Sequence, residues 1–295
     1  MSPTLAILTT GDMLGNIQYR KDRYEAMSVQ NIEYYTQKDG RKILKVILTP
    51  TKNFPNGVTY VDACFEDLIR QYTWFIEHHG YVVASVRIPD KGQTLIQLHR
   101  EIMQCTYGFT PDYVDHISGV MIDNVGLNLE KVTNSQNIRN VPKRGYRIQG
   151  YGKTGAHFQL KCQMNNKSIH KAGIEREDDA CIQQFFFELQ HYSEYNYDFL
   201  KDRRNDLDIV DLERSGKISN EEATYLHVKK YVENNPWYAF RYNLFDYCKQ
   251  NNIIIPKYYL NEDKRMVDVN GKILCPFKTK KEREELEVSR QIKES

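Results

Sequence analysis

Several things are scarce in this chain of 295 residues, and each scarcity excludes a class of protein. Charge of one sign is scarce: Lys and Arg total 41 against 39 Asp and Glu, a net charge of +2. That excludes a uniformly basic, histone-like protein and an acidic disordered one. Long apolar runs are missing. Runs such as 185–187 and 253–255 fall far short of the roughly 20 residues a membrane-spanning helix needs. The opening MSPTLAILTTGDM has no basic n-region and too short an apolar stretch for a secretory signal, so a cytoplasmic location is expected. The six cysteines, at 64, 105, 162, 181, 248 and 275, include no CxxC pair. A thiolate zinc site is therefore not expected, and reduced thiols are. Tryptophan occurs twice against 21 tyrosines, and tyrosine suits wet, polar binding faces. No internal repeat or low-complexity tract is present.

What is there reads as an α+β protein. At about 150 residues per domain, the length suits roughly two domains or three small ones. Residues 1–95 form a β-rich module with one helix. Strands 42–49 and 58–61 flank a Pro-Asn-Gly turn at 55–57. Phe65, Leu68, Ile69, Tyr72 and Phe75, at spacings of 3 and 4, predict a helix over 63–78 that stops at Gly80. Strands 81–88 and 94–98 and a helix over 99–107 follow. Residues 96–142 are a compact motif treated below. Residues 143–205 show strands at 146–151, 157–164 and 168–172 and a helix near 176–192. Residues 206–295 are mainly helical. Ser219 and Glu222 make a capping box for a helix ending near 234–235, and Pro236 suits the first position of the next. A hairpin with an Asn-Gly turn is expected over 267–273. Residues 278–295 read as a solvated helix or a frayed tail.

The chemistry concentrates between Leu98 and Asn140. Tyr113 to His116 is a short strand, Gly119 permits a turn, and Leu129 to Val132 can pair back as a second strand. Thr133 and Gln136 form a capping box that starts a helix near Asn134, with Asn137 in its first turn. The pattern is β–β–α, and a helix N-terminus is a natural seat for a phosphate. Asp115 and Asn137 offer hard oxygen ligands. One carboxylate and one amide make a sparse set that suits Mg²⁺, which keeps several waters and takes phosphate oxygens. His116 can be neutral near pH 7 and accept a proton from water. Neighbours in a flat strand point to opposite faces, so Asp115 and His116 share a site only if the strand end bends there.

Asp115-His116, Asn128 and Asn137 resemble the HNH nuclease motif, the ββα-metal fold, in the phage and intron-encoded homing endonuclease branch where the last position is Asn. Leu98-His99-Arg100 and the upstream Trp74 and Gly80-Tyr81-Val82 resemble the same family's pattern. The resemblance implies that His116 is the general base, that Asp115 and Asn137 hold Mg²⁺ or Mn²⁺, and that Asn128 pins the loop between the strands. It implies cleavage of double-stranded DNA, with one site per chain favouring a nick by a monomer. It also implies a phage or other mobile element as source, acting in the host cytoplasm. Residues 145–192 resemble the AP2-like DNA-binding domain of such nucleases, through Arg144-Gly145-Tyr146-Arg147, Asn166 to Ile169, and Gly173 with Glu177 to Ala180. A three-stranded sheet backed by a helix would then enter the major groove.

Charge adds to this independently. Residues 131–176 hold ten basic residues and one acid, a balance of +9, whereas 177–233 balance at −7. Arg139, Lys143, Arg144, Arg147, Lys153, Lys161, Lys167 and Lys171, with Arg100 upstream, are the candidate DNA contacts, and phosphate contacts from them would make binding salt-dependent. Two rival readings stand beside the nuclease: a non-catalytic DNA- or RNA-binding protein that keeps the ββα unit as a scaffold, and a protein-interaction role in 206–295. His78-His79 reads as a helix end. Residues 211–222 fit an EF-hand loop at positions 1, 5, 6, 8, 9 and 12 but carry Glu at position 3. A glycine turn followed by the Ser219 capping box accounts for the same residues.

Overall fold

The strand KILKVI is buried on both faces: Leu44 and Val46 enter one apolar cluster, and Ile43, on the other face, enters a second. The computed structural model describes residues 31–88, 92–140, 158–164, 167–174, 197–236, 238–239, 242, 244–255, 258–260 and 266–268. Its small antiparallel sheets and several helices make it an α+β protein. No described helix is long and apolar enough to cross a membrane.

Two units are present. The first joins the described residues up to Asn140 with Lys201–Thr224. The expected junctions near 95 and 205 both fall inside it. It opens with the sheet β1 (Ile32–Thr36), β2 (Lys42–Ile47) and β3 (Val58–Asp62), paired in that order. A 3₁₀ turn, Ala63–Phe65, leads into α1 (Glu66–Gln71). The helix is far shorter than 63–78. Tyr72 is extended, and Trp74–Ile76 is a strand, β4, paired with β5 (Val82–Ile88). Spacings of 3 and 4 mislead here because Trp74 is fully buried and Phe75 and Ile76 favour a pleated surface. Trp74 Nε1 donates to the Ile69 carbonyl at 3.2 Å, so the indole closes off α1. Gly80 thus closes a hairpin, and His78-His79 lie on its turn.

β6 (Gly92–Gln97) completes the second sheet and runs into α2 (Leu98–Tyr107). β7 (Tyr113–His116) and β8 (Leu129–Val132) pair antiparallel, with Asp115 opposite Glu130 and His116 opposite Leu129. α3 (Asn134–Arg139) follows with its expected capping box: Thr133 Oγ1 accepts from Gln136 N, and Gln136 Oε1 accepts from Thr133 N. One apolar core runs from Leu44, Val61 and Ile69 through Trp74, Val82 and Ala84 to Leu98, Ile102 and Leu129. Each such buried side chain contributes on the order of 1.5–3 kcal/mol, and together they tie the two sheets to the ββα unit. α4 (Leu207–Arg214) adds Val210 to a second cluster with Ile43, Tyr60, Val120 and Val125. Gly216, after α4, has positive φ, and a Cβ there would collide with the Thr36 carbonyl.

In the second unit, β9 (Phe158–Met164) and β10 (Lys167–Ile174) form a hairpin. The other AP2-like elements, strand 146–151 and helix 176–192, lie outside the described residues. α5 (Asn220–Asn234) begins at the Ser219–Glu222 box, as expected, and continues into this unit. α6 (Phe245–Gln250) follows. Their core gathers Phe199, Val228, Val232, Leu244 and Cys248, with Tyr231, Tyr238 and Tyr242 around Phe199. These tyrosines serve packing. β11 (Tyr258–Leu260) pairs with β12 (Met266–Asp268). Val267 therefore has a partner upstream, while the Asn-Gly turn and the tail 278–295 lie outside the described residues.

Candidate active site

The loop 117–128 is placed by β3. Tyr60 N donates to the Ile122 carbonyl at 3.1 Å, and Asn124 N donates to the Tyr60 carbonyl at 2.9 Å, so the loop is pinned to the first sheet by one parallel bridge at Asp123. Asn128 then fixes it from within. Its Oδ1 accepts from Ser118 N at 2.9 Å and its Nδ2 donates to the Asp123 carbonyl at 2.7 Å. Both amide ends are committed to the loop and the residue is buried.

His116 is the last residue of the β7 ladder. The chain turns at once, with Ile117 N donating to the Asn128 carbonyl and Gly119 N to the His116 carbonyl. The imidazole is buried, and its Nε2 lies 3.2 Å from Asn124 Oδ1. Burial holds its pKa below the ordinary histidine value, with the Asn124 hydrogen bond pulling the other way, so it is neutral near pH 7. His99, on the first turn of α2, meets it edge to face at 5.1 Å between ring centroids. Tyr81 lies 5.2 Å from His99 and 6.2 Å from His116.

Asp115 looks elsewhere. Its Oδ2 accepts from Asn140 Nδ2 at 2.7 Å, and the same Nδ2 lies 3.4 Å from the His116 and Ile117 carbonyls. Burial raises the Asp115 pKa, opposed by the Asn140 bond and by the charge of Arg204. Arg204 donates to the Asn140 carbonyl, and its guanidinium lies against Gly119. Gly119 has positive φ, and a Cβ there would strike that guanidinium. Asp115 also raises the Tyr81 pKa, after burial, so Tyr81 neighbours both the acid and the imidazole.

Asn137 sits on the first turn of α3, half-buried, with its backbone N–H on the Thr133 carbonyl. Among the described residues no hydrogen bond joins it to Asp115; Asn140, the C-cap of α3, takes that place. Asn137 and Asn140 are three residues apart and share a helix face, a signal that was open to reading from the sequence. Thr59 and Arg204 had none, because their neighbours come from distant parts of the chain.

Of the candidate DNA contacts, Arg100 donates to the Asp112 carbonyl at 3.0 Å and Arg139 to Ser135 Oγ at 2.9 Å. Lys167 and Lys171 are exposed on β10, and Lys161 is on β9 opposite His170. Lys143, Arg144, Arg147 and Lys153 lie outside the described residues.

Two other candidate ion sites are explained without an ion. Asp211, the first position of the EF-hand-like loop, is helical. Its Oδ1 accepts from Lys45 Nζ at 2.6 Å and from Tyr60 OH at 2.5 Å. Glu77, His78 and His79 bring three ligand atoms within 4.8 Å on the β4–β5 turn, where His78 Nδ1 and Glu77 Oε2 already contact each other at 2.8 Å. No family model matches this chain, and no curated protein or solved structure matches it either.

Proposed function

We propose that this chain is a metal-dependent DNA endonuclease of the HNH homing type that nicks one strand by hydrolysing a phosphodiester. The observation that carries the reading is His116: a neutral, buried imidazole at the end of the first strand of a β–β–α unit. Its loop is pinned by Asn128, and the helix that follows is capped by Thr133.

The donor set fits a hard divalent cation. Asp115 is a half-buried carboxylate whose pKa burial raises against the Asn140 bond and the charge of Arg204, and Asn137 follows on the next helix. Asp115 and Asn137 would hold Mg²⁺ or Mn²⁺, with waters completing the shell. Such an ion supplies stabilisation of the charge that builds on the phosphate and the departing oxygen. The chain's own residues do the rest. His116 takes a proton from the attacking water as its oxygen bonds to phosphorus. The P–O3′ bond breaks, the departing oxygen gains a proton from solvent, and the products are a 3′ hydroxyl and a 5′ phosphate. Lys and Arg of 131–176 bind the duplex backbone.

Nicking of supercoiled plasmid with Mg²⁺ or Mn²⁺, with and without EDTA, tests this. His116→Ala is expected to lose about 10²–10⁴ in cleavage rate, the range a general base contributes, with DNA binding unchanged in a gel-shift assay. Full cleavage by that variant sinks the assignment. Metal-independent binding with no cleavage by the wild type selects the scaffold reading.

A further inference from the structure

The hydrogen bonds behind His116 can be followed to their end. Thr59 Oγ1 donates to the Ile122 carbonyl at 2.7 Å, which uses its single proton and leaves lone pairs. One lone pair accepts from Asn124 Nδ2 at 2.9 Å, and the same Nδ2 lies 3.3 Å from the Met121 carbonyl. A carbonyl can only accept, so the amide nitrogen of Asn124 must face Met121 and Thr59. Its Oδ1 therefore faces His116 Nε2, at 3.2 Å. An amide oxygen cannot donate, so Nε2 carries the proton.

We propose that Asn124, backed by Thr59, is a positioning residue that fixes His116 in the Nε2–H tautomer, leaving Nδ1 as the basic atom. Two observations agree. Among the described residues no group bonds His116 Nδ1, and it is not among the buried polar atoms without a partner, whereas His99 Nδ1 is. So His99 Nδ1 is sealed without a partner, and Nδ1 of His116 carries no bond that competes with the Asn124 contact at Nε2. His99 and Tyr81 pack on the ring and set its plane, while Asn124 sets which nitrogen points where. Both members of the relay, Asn124 and Thr59, are neutral. The relay reaches β3, so residues some sixty positions upstream hold the base.

This deepens the nuclease reading, and only its kinetic arm rests on that reading. The direct test is a two-bond ¹H–¹⁵N correlation spectrum of the full chain labelled at histidine nitrogen, without metal. The expected result is His116 protonated at Nε2 and bare at Nδ1; the opposite tautomer in the wild type overturns the proposal. In Asn124→Ala the tautomers should mix, and kcat for plasmid nicking should fall by at least about tenfold, within what a general base contributes, with KM unchanged. Should Asn124→Ala fail to fold, Thr59→Val removes one acceptor of Nδ2 at constant shape and should give the same change in smaller measure. An unmixed Nε2–H tautomer in both variants, or undiminished kcat in a folded Asn124→Ala, overturns the role of Asn124. If the wild type cleaves nothing, the nuclease reading fails and the spectrum still decides the tautomer.

Discussion

His116 and Asp123 stand seven residues apart at two ends of one loop, both almost fully buried, and they are held in opposite ways. His116 rests on neutral amides and a hydroxyl. Asp123 takes a two-pronged ion pair from Arg214 of α4, at 2.8 and 2.9 Å, and Arg214 also reaches Glu213 at 3.0 Å. Burial alone would lower the Arg214 pKa, but Asp123 and Glu213 raise it, so the guanidinium stays charged. The ion pair locks the loop, and the neutral relay orients an imidazole. The Asp123 charge still reaches His116 and pulls its pKa up, after the larger effects of burial and the Asn124 bond.

The largest effect should come from breaking the charged lock. Arg214→Met strands a buried carboxylate and should cost about 3–5 kcal/mol in urea unfolding. Adding Asp123→Leu should recover much of it, and no recovery would mean the pair itself is not the source. Acid should be next. Burial first, then the charges of His116 and Arg100, push the His99 pKa down to about 3. The unfolded chain, with an ordinary histidine, binds a proton at a pH where the folded one does not. Its contribution is whole above about pH 6.5 and falls progressively toward pH 3, by about 2 kcal/mol between pH 7 and 5. His99→Phe should flatten that part of the stability–pH curve; an unchanged slope would place the titration elsewhere. Smaller still, Thr133→Ala removes the α3 cap and should cost about 1 kcal/mol, read by thermal or urea unfolding, and a loss below about 0.3 kcal/mol would mean the cap is idle. The smallest expected effect is none. Titration with Ca²⁺ should release no heat, because Asp211 is engaged by Lys45 and Tyr60.

The ββα unit was legible because its signals are local: a short strand, a turn glycine, an Asn and a capping box all within 24 residues of Tyr113. The 63–78 helix was misread for a related reason. Spacings of 3 and 4 hold for a strand entering after a short helix as well as for a long helix, and only the burial of Trp74 separates them. Asp115 was expected beside Asn137 and is found on Asn140, three residues along the same face. Thr59, Arg204 and Arg214 carry no local mark. Their partners lie 63 to 91 positions away, and such pairings exist only in the folded chain.

The chain order of the first unit has a consequence for the timing of synthesis. Asn140 leaves the ribosome 74 residues before Arg214. At 5–20 residues per second that is a delay of roughly 4–15 s. Throughout it the β–β–α unit lacks the arginine that locks its loop, and for the first 64 residues it also lacks the one that lies against Gly119 and bonds Asn140. A nascent chain stopped anywhere in that interval should hold a loose 117–128 loop, so the folding of this unit waits on the segment 201–224 rather than on the motif itself.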